Sequence, residues 1–262
     1  MNQNEYDEFA DAFLEIFESR QLSQRPELPL STLSLDEAYA IQQLVIGRRL
    51  ANGEEVVGYK VGCTSRAIRK QFGLNEPICG RLMQPHIFHG DTTLDWKNFH
   101  RPAVEPEFVL RMARDVSDLV GPEDSLLDFI DFVSPGIEVH HYDWWFGEPT
   151  VQELIGSNGI HACVVIGDEK VSPHQFDWDL EGVGIFTNGE LSDSGIGAEI
   201  MGGPMCSLRW LANHLLQRGE LLQAGQIVIP GSAVSLVPVA LGDVMTARFT
   251  HLGVATAKFR EG

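Results

Sequence analysis

From Glu55 onward, the sequence is a succession of short apolar runs separated by glycine and proline. Runs of this length and composition are typical of β-strands, so most of the chain is predicted to be β-structure. Asn188-Gly189 is the residue pair that most readily supplies the positive φ angles of a tight hairpin turn. The alternation within the last two runs predicts a further antiparallel pair. The runs are VVGYKVG, VEPEFVL, ACVVIG, GVGIF, IVIPG, VSLVPV, VMTARF and VATAKF.

The first 54 residues have a helical pattern instead. Apolar residues at helical spacing predict an amphipathic N-terminal helix with an acidic outer face. A proline-containing linker follows at 24–29, and Ser34 and Glu37 have the capping-box spacing of a second helix, which ends near Asn52. We therefore expect an α+β protein with an N-terminal helical lobe over 1–54 and a β-rich catalytic domain over 55–262, folded as one structural unit. The apolar residues of the first helix are Tyr6, Phe9, Ala10, Phe13, Leu14 and Phe17.

Charge and cysteine content restrict the class of protein. The 37 acidic and 19 basic residues give a formal net charge of -18, which argues against a surface that binds nucleic acid. No apolar run approaches the ~20 residues needed to span a bilayer, and no secretory signal is recognised at the N-terminus. The four cysteines are scattered and form no C-x-x-C motif, so a reduced, cytoplasmic protein is expected. They are Cys63, Cys79, Cys163 and Cys206.

Three glutamates in two apolar segments predict a metal site. Glu105 and Glu107 lie two residues apart, so on a strand they project from one face, and Glu138 lies in a second segment. Carboxylates beside core residues repel each other unless a cation or a shared proton offsets their charge. Three carboxylates with open positions suit a hard cation such as Mg2+ or Mn2+. A solvated edge strand is the alternative, and the glutamates taken alone favour it.

Other polar residues permit a functional and an ordinary interpretation. Lys60, within a strand, must find a partner or lower its pKa, which suits proton transfer or the binding of a carboxylate. Alone, it is better explained by an ammonium group that reaches water. Gly231-Ser232 offers N–H groups and a hydroxyl to a carboxylate, but is equally consistent with a β-turn. Ser157-Asn158 is interpreted first as a turn, and as part of a site only because it accompanies the other candidate residues.

Two histidines follow the third glutamate. On a strand, His140 shares the face of Glu138, and a histidine ligand would move the metal preference toward Fe or Zn. We favour a supporting role behind the metal ligands, or a surface pair with His141. The residues after them, including Trp144 and Trp145, are interpreted as a loop that folds over the site.

Several sequence motifs, in their order along the chain, resemble those of the hydratase/decarboxylase branch of the fumarylacetoacetate hydrolase superfamily. The similarity extends from about Asp36 to Phe259. It implies a Mg2+- or Mn2+-dependent lyase with a mixed β-roll or sandwich core, usually a homo-oligomer. The motifs are GYKVGCTS, VEPEFVLRMARDV, PGIEVHH, SNG followed by ACVVIG, GGPMCSLRWLANHL and PGSAVSLVPVALGD.

The resemblance also implies roles for individual residues. Lys60 matches the family's strand lysine and is expected to be catalytic. Ser157 stands where the family's D-N-A-S-like turn has aspartate, and Pro230 replaces the threonine of a T-G turn. The three carboxylates expected to bind the metal are Glu105, Glu107 and Glu138. The residues expected to bind the substrate are Ser157, Asn158, Gly231 and Ser232.

One departure leaves the reaction open. Where hydratases of this branch have an acid/base aspartate, this sequence has Ile78, which cannot move a proton and so raises the decarboxylase alternative. The expected substrate is a small anionic 2-oxo-4-enoate (2-hydroxydienoate) acid of aromatic meta-cleavage catabolism, hydrated to a 4-hydroxy-2-oxo acid. The alternatives are decarboxylation through the same dienolate, C–C bond hydrolysis, or a catalytically silent subunit. Association with a paralogous pathway enzyme is also expected.

Overall fold

Two mixed β-sheets and five α-helices form the part of the chain that the computed structural model describes, residues 3–19, 30–142 and 149–262. The helices are α1 (Gln3–Ser19), α2 (Leu35–Ala51), α3 (Arg66–Phe72), α4 (Val151–Gly156) and α5 (Pro204–Gln217). The strands are β1 (Glu55–Gly62), β2 (Ile78–Gln84), β3 (Ile87–His89), β4 (Thr92–Asp95), β5 (Pro102–Met112), β6 (Ile130–His141), β7 (His161–Ile166), β8 (Gly182–Thr187), β9 (Glu190–Ile196), β10 (Ile227–Ile229), β11 (Val237–Pro238), β12 (Val244–Phe249) and β13 (Gly253–Arg260). The predicted linker at 24–29 and the predicted tryptophan loop at 144–145 lie outside the described residues.

The two sheets pack on each other, which confirms the α+β class with a sandwich core. The larger sheet has the order β2-β1-β10-β5-β6-β7-β3, with β11 also paired to β5, and the smaller has the order β4-β13-β12-β8-β9. Phe108 of β5 joins the sheets, because its ring centroid lies 5.1 Å from that of Phe249 on β12. It also stacks at 5.8 Å on Trp178. Aromatic contacts of this kind contribute beyond the area they bury.

Local sequence signals place the helix and turn boundaries correctly. Ser34 and Glu37 form the predicted reciprocal capping box at the start of α2, whose C-cap is Asn52. Asn188 and Gly189 have φ angles of 54° and 92° and close the predicted β8–β9 hairpin. The predicted pairing of the last two runs is confirmed by β12 and β13. These signals succeed because each depends on residues that are close in sequence.

The N-terminal helices share a core with the sheets. Phe9 and Phe13 of α1 belong to the same buried cluster as Phe259 of β13. Gln42 of α2 donates hydrogen bonds to the carbonyls of Cys79 and Ile155, at 3.0 and 2.8 Å. These bonds satisfy backbone groups of β2 and α4 that burial would otherwise leave unpaired. The division of the chain at residue 54 stays a prediction.

One predicted strand is much shorter than expected. Of the run VSLVPV, only Val237 and Pro238 pair with β5. Proline has no N–H to donate to a sheet, which limits the extension of pairing through this segment.

The four cysteines are free thiols. None of the described helices combines the length and apolar character needed to cross a membrane.

Candidate metal centre

The register of β5 and β6 brings the three predicted carboxylates together. Glu105 pairs directly with Glu138 across the strands, and Glu107 lies two residues further along the same face of β5. The side chains of Glu107 and Glu138 are 1% exposed, and that of Glu105 is 21% exposed. β5 lies inside the sheet between β10 and β6. The alternative of a solvated edge strand is therefore wrong.

Lys60 of β1 reaches the same cluster. Its Nζ lies 2.9 Å from Oε1 of Glu138 and donates to the carbonyl of Gly159 at 3.3 Å. Only 4% of the lysine is exposed, so the expectation that its ammonium reaches water is wrong. Burial lowers the pKa of Lys60, but the carboxylates of Glu138 and Glu105 outweigh it and raise the pKa overall. The ammonium therefore stays charged and is suited to hold an anion or donate a proton.

Two buried histidines complete the cluster. His161 Nδ1 lies 2.7 Å from Oε1 of Glu138. His140 Nε2 lies 3.2 Å from Oε2 of Glu105 and 3.3 Å from Oε2 of Glu138. His140 is 2% exposed and His141 is 5% exposed, so the interpretation as a surface pair is wrong.

Sequence reasoning missed His161 altogether. It begins β7 and pairs with His140 across β6 and β7, after a register shift between Val139 and His140. A bulge of this kind changes which residues face each other without leaving a signal in the sequence of either strand. The only available signal was its position, directly after the Ser-Asn-Gly turn.

The pKa values of neighbouring groups in the cluster are shifted in opposite directions. Burial and the neighbouring Glu138 and Glu105 raise the pKa of Glu107 well above its usual value. Burial acts in the same direction on Glu138, but His140 and Lys60 outweigh it and hold the pKa of Glu138 well below its usual value. Burial lowers the pKa of His140, yet Glu138 chiefly reverses this and raises it. Glu138 is thus the ionised centre of a coupled group.

The donor atoms fit a divalent cation. Ligand atoms of Glu105, Glu138 and His140 all lie within 4.8 Å of one another. The three carboxyl groups crowd together, and their mutual repulsion adds to burial in raising the pKa of Glu107. A divalent ion bound among them would relieve this repulsion. Within the described ranges, His140 Nδ1 and His161 Nε2 are buried without a hydrogen-bond partner. Glu107 lies outside this close group of three, and its role as a ligand stays a prediction.

The Ser-Asn-Gly turn positions the lysine. Asn158, Gly159 and Ile160 have φ angles of 61°, 69° and 53°, in the left-handed region that glycine tolerates best. This conformation is costly for the β-branched Ile160, and such strain is often found at functional sites. The turn directs the carbonyl of Gly159 to Nζ of Lys60.

The side chains of this turn bond to the protein itself. The amide of Asn158 accepts the N–H of Arg81 at 2.6 Å and donates to the carbonyl of Arg81 at 2.8 Å. The hydroxyl of Ser157 donates to the carbonyl of Leu154 at 3.1 Å and accepts the N–H of Ile160 at 3.3 Å. Both residues therefore fix the turn against its surroundings. Contact of either one with a substrate stays a prediction.

The predicted Gly231-Ser232 element also meets the cluster. The N–H of Gly231 donates to Oε2 of Glu107 at 3.1 Å, so it binds a carboxylate of the protein. Gly231 has a φ of 112°, and a Cβ there would lie 2.5 Å from Cγ2 of Thr64. Only glycine permits this approach. The hydroxyl of Ser232 accepts the N–H of Val234 at 3.2 Å, and contact of Gly231 or Ser232 with a substrate stays a prediction.

Ile78 provides an apolar boundary. It begins β2, is 3% exposed, and pairs with Gly62 of β1. Its Cγ1 would lie 3.3 Å from a Cβ at Gly62, so it fills the space above that glycine. Ile78 therefore contributes to packing and cannot donate a proton.

Known proteins share both the sequence and the fold. The chain is 30% identical over 230 residues to a 2-keto-4-pentenoate hydratase of Paraburkholderia xenovorans (strain LB400), covering 87% of this chain and 84% of that protein. It is 31% identical over 232 residues to a 4-oxalocrotonate decarboxylase of Pseudomonas sp. (strain CF600), covering 87% and 86%. A solved structure of 4-oxalocrotonate decarboxylase from Pseudomonas putida G7, complexed with magnesium and adipate, has a TM-score of 0.91 at 27% identity, covering 99% of this chain and 98% of that chain. No family model matches the chain.

The identity of these relatives agrees with the family resemblance drawn from the sequence motifs. The structural match extends over the N-terminal helices as well as both sheets, because it covers nearly all of both chains. The expected fold class and family are therefore confirmed. The chain belongs to the family of 2-keto-4-pentenoate hydratases and 4-oxalocrotonate decarboxylases.

Proposed function

We propose that this chain is a divalent-metal-dependent lyase that hydrates 2-oxo-4-enoate acids, in their 2-hydroxydienoate form, to 4-hydroxy-2-oxo acids. One observation carries the proposal: three carboxylates and a charged lysine converge in a buried cluster of a family member. Such a cluster combines a place for a cation with a group that binds an anion. A small 2-oxo acid needs both.

The proposed cofactor is Mg2+ or Mn2+, held by Glu105, Glu107 and Glu138. The magnesium in the related decarboxylase structure supports this choice. When bound, the ion supplies Lewis acidity that stabilises negative charge on the 2-oxo group and its enolate. The bond from Gly231 N–H orients the carboxylate of Glu107 for this role.

Lys60 is the proposed catalytic residue. Because its Nζ is cationic and is held by Glu138 and Gly159, it is suited to bind the substrate carboxylate or to deliver a proton to the dienolate carbon. Ser232 and Gly231 are proposed to orient the substrate. Asn158 and Ser157 are proposed to contact it from the turn that positions the lysine.

Decarboxylation is the second candidate. It is supported by the apolar Ile78 in place of an acid/base residue and by the structural match to a decarboxylase. Both reactions require the same dienolate, and they differ in whether water adds or a remote carboxylate leaves. We place hydration first because hydratases of several organisms are among the relatives.

Two substrates separate the reactions. Purified protein with Mg2+ or Mn2+ is incubated with 2-hydroxypenta-2,4-dienoate and, separately, with 2-oxohex-3-enedioate, while absorbance and CO2 release are followed. Hydration predicts loss of dienoate absorbance without CO2, and decarboxylation predicts CO2 from the second substrate. Turnover of neither would refute the proposal. Glu107→Gln should weaken both metal binding and turnover, whereas Glu190→Gln, on an exposed strand of the other sheet, should change neither.

Assembly and location are also proposed. We propose a homo-oligomer, with association to a paralogous pathway enzyme, in the cytoplasm. Three exposed leucines are proposed as candidate contact residues for such an assembly. They are Leu119, Leu180 and Leu191, which are 69%, 68% and 57% exposed. Sedimentation of the purified protein at the mass of one chain would contradict the homo-oligomer.

A further inference from the structure

We infer that His140 is itself a ligand of the metal ion, so that the centre binds Mn2+, Fe2+ or Zn2+ more tightly than Mg2+. The inference rests on the proposed metal centre and specifies its donor atoms. It adds an imidazole nitrogen to the carboxylate ligands.

The distances fit a shared ion. His140 Nε2 lies 3.2 Å from Oε2 of Glu105 and 3.3 Å from Oε2 of Glu138. Two ligand atoms that each lie about 2.1 Å from an ion are about 3.0 Å apart at a right angle and about 3.4 Å apart at the tetrahedral angle. The nitrogen therefore already lies at ligand separation from both oxygens. The ring direction that presents an N–H to the two carboxylates is the direction in which the neutral ring presents its lone pair.

The two oxygens of Glu138 have separate surroundings. Oε1 lies 2.9 Å from Nζ of Lys60 and 2.7 Å from Nδ1 of His161, which hold it in place. Oε2 instead faces His140. A carboxylate held at one oxygen offers the other as a single ligand atom, and here that atom is the one shared with Glu105 and His140. These contacts define one position for a cation rather than a diffuse acidic surface.

The fold separates His140 from its neighbour. His140 and His141 alternate on β6, so only His140 points to the carboxylates. His141 accepts the N–H of His100 at 3.3 Å and packs its ring 5.9 Å from that of Phe17. The chain thus contains an internal control: an adjacent buried histidine on the opposite face.

An imidazole ligand changes which ions the site prefers. Mg2+ favours oxygen ligands and binds nitrogen weakly, whereas Fe2+ and Zn2+ accept imidazole readily. Mn2+ binds carboxylates well and tolerates a nitrogen. A site that combines carboxylates with one imidazole therefore discriminates against Mg2+ more strongly than a site of carboxylates alone.

Pulsed electron paramagnetic resonance of the Mn2+-loaded protein tests the ligand directly. We expect a 14N modulation from a directly bound imidazole in the wild type and in His141→Gln, and its loss in His140→Gln. The wild-type spectrum needs no substitution, so it remains decisive where a variant fails to fold. Absence of nitrogen coupling in the wild type, or its persistence in folded His140→Gln, would overturn the inference.

Metal affinities provide a second measurement. In His140→Gln we expect the affinity for Zn2+ to fall about tenfold to a hundredfold and that for Mg2+ to change less than about threefold. His141→Gln should change neither. Equal losses for both ions would contradict a nitrogen ligand. Binding of Mn2+ without any nitrogen coupling would refute this inference alone, whereas failure of every ion to bind would refute the proposed metal centre with it.

Discussion

Arg81 and Lys60 are buried cations on opposite faces of the β1–β2 pair, and their surroundings differ. Tyr59 and Lys60 are adjacent on β1 and pair with Arg81 and Gly80 on β2. The guanidinium of Arg81 donates to Gln42 at 2.6 Å and to both oxygens of Glu220 at 2.7 and 2.9 Å. One cation thus meets one carboxylate, whose two oxygens share the same guanidinium nitrogen, Nη2. Lys60 instead lies among three glutamates and two histidines.

This difference separates a structural cluster from one that is suited to a ligand. The Arg81 cluster is balanced in charge and its polar groups bond to each other, so nothing further is needed to stabilise it. The cluster around Glu138 instead crowds three carboxyl groups together, and their mutual repulsion adds to burial in raising the pKa of Glu107. Two of its ring nitrogens have no bond within the described part of the chain. Burial of a cation relieves the second cluster and would disturb the first. The crowding of like charges, rather than burial, therefore distinguishes the face of the proposed metal centre.

The largest expected effect is on catalysis by Lys60→Met. Methionine keeps much of the side-chain volume but removes the charge that binds the anion and moves the proton. We expect kcat/KM to fall about a thousandfold or more, equivalent to about 4 kcal/mol, measured at saturating metal. Arg81→Met is the matched variant on the other face, and it should retain kcat/KM within about fivefold. Similar losses in both variants would remove the functional distinction between the clusters.

Stability should show the reverse order. Arg81→Met leaves Glu220 without its cationic partner, and we expect the free energy of unfolding to fall by about 3 kcal/mol. This lies at the lower end for a broken buried pair because Glu220 is 28% exposed and can hydrate. Urea denaturation measures the change. Adding Glu220→Gln to Arg81→Met should recover part of the loss, and a stability unchanged by Arg81→Met would show that the balanced cluster is not structural.

Of the two clusters, a metal ion should stabilise only the one around Glu138. With free Mn2+ at 100 times its dissociation constant, binding to the native state alone adds about 2.7 kcal/mol to the free energy of unfolding. We expect this gain in the wild type and in Arg81→Met, its reversal by a chelator, and its reduction in Glu105→Gln. Denaturation with and without Mn2+ checks each case. An equal gain in Glu105→Gln would place the ion elsewhere.

The sequence predicted the local features of both clusters but not their pairing. Glu105 and Glu107 share a face because side chains alternate on any strand, so their proximity needed no tertiary information. Glu138 was grouped with them as a carboxylate in a second apolar segment, and Lys60 was added by the resemblance. The strand register and the Lys60–Glu138 contact supplied the physical reason. The burial of the Lys60 ammonium was predicted wrongly, because one strand's pattern does not reveal what covers its face.

The residues that escaped prediction depend on contacts distant in sequence. His161 meets Glu138 only through the bulged register of β6 and β7. Arg81 was not identified at all, since its partners Gln42 and Glu220 are 39 and 139 residues away. The family resemblance suggested substrate contact for Asn158, which stays a prediction, and the fold adds that its amide bonds to the backbone of Arg81. Motifs therefore named the candidate residues, and the fold showed which of them lie together.

The smallest expected effect concerns His214 of α5, which lies beside the balanced cluster. Its Nε2 accepts a hydrogen bond from Nε of Arg218 at 3.0 Å, so the ring must be neutral in this arrangement. Its ring centroid lies 5.2 Å from that of Tyr39. Burial first, and then the charge of Arg218, lower the pKa of His214 to about 4. Glu76, Glu220 and Arg81 are the other charged groups that act on it.

Acid should therefore weaken this region without any involvement of the metal centre. Below the usual histidine pKa of about 6.5, the unfolded chain binds a proton that the native ring does not. Stability contributed by neutral His214 is fully present above pH 6.5 and is lost as the pH falls toward about 4. We expect a loss of about 1 to 2 kcal/mol between pH 7.5 and pH 5, moderated by partial hydration of the ring. Because other groups also titrate in this range, the measurement is the difference between wild type and His214→Gln, whose amide oxygen can accept from Arg218 at both pH values. If both proteins lose equal stability, the histidine is not the acid-sensitive element of the balanced cluster.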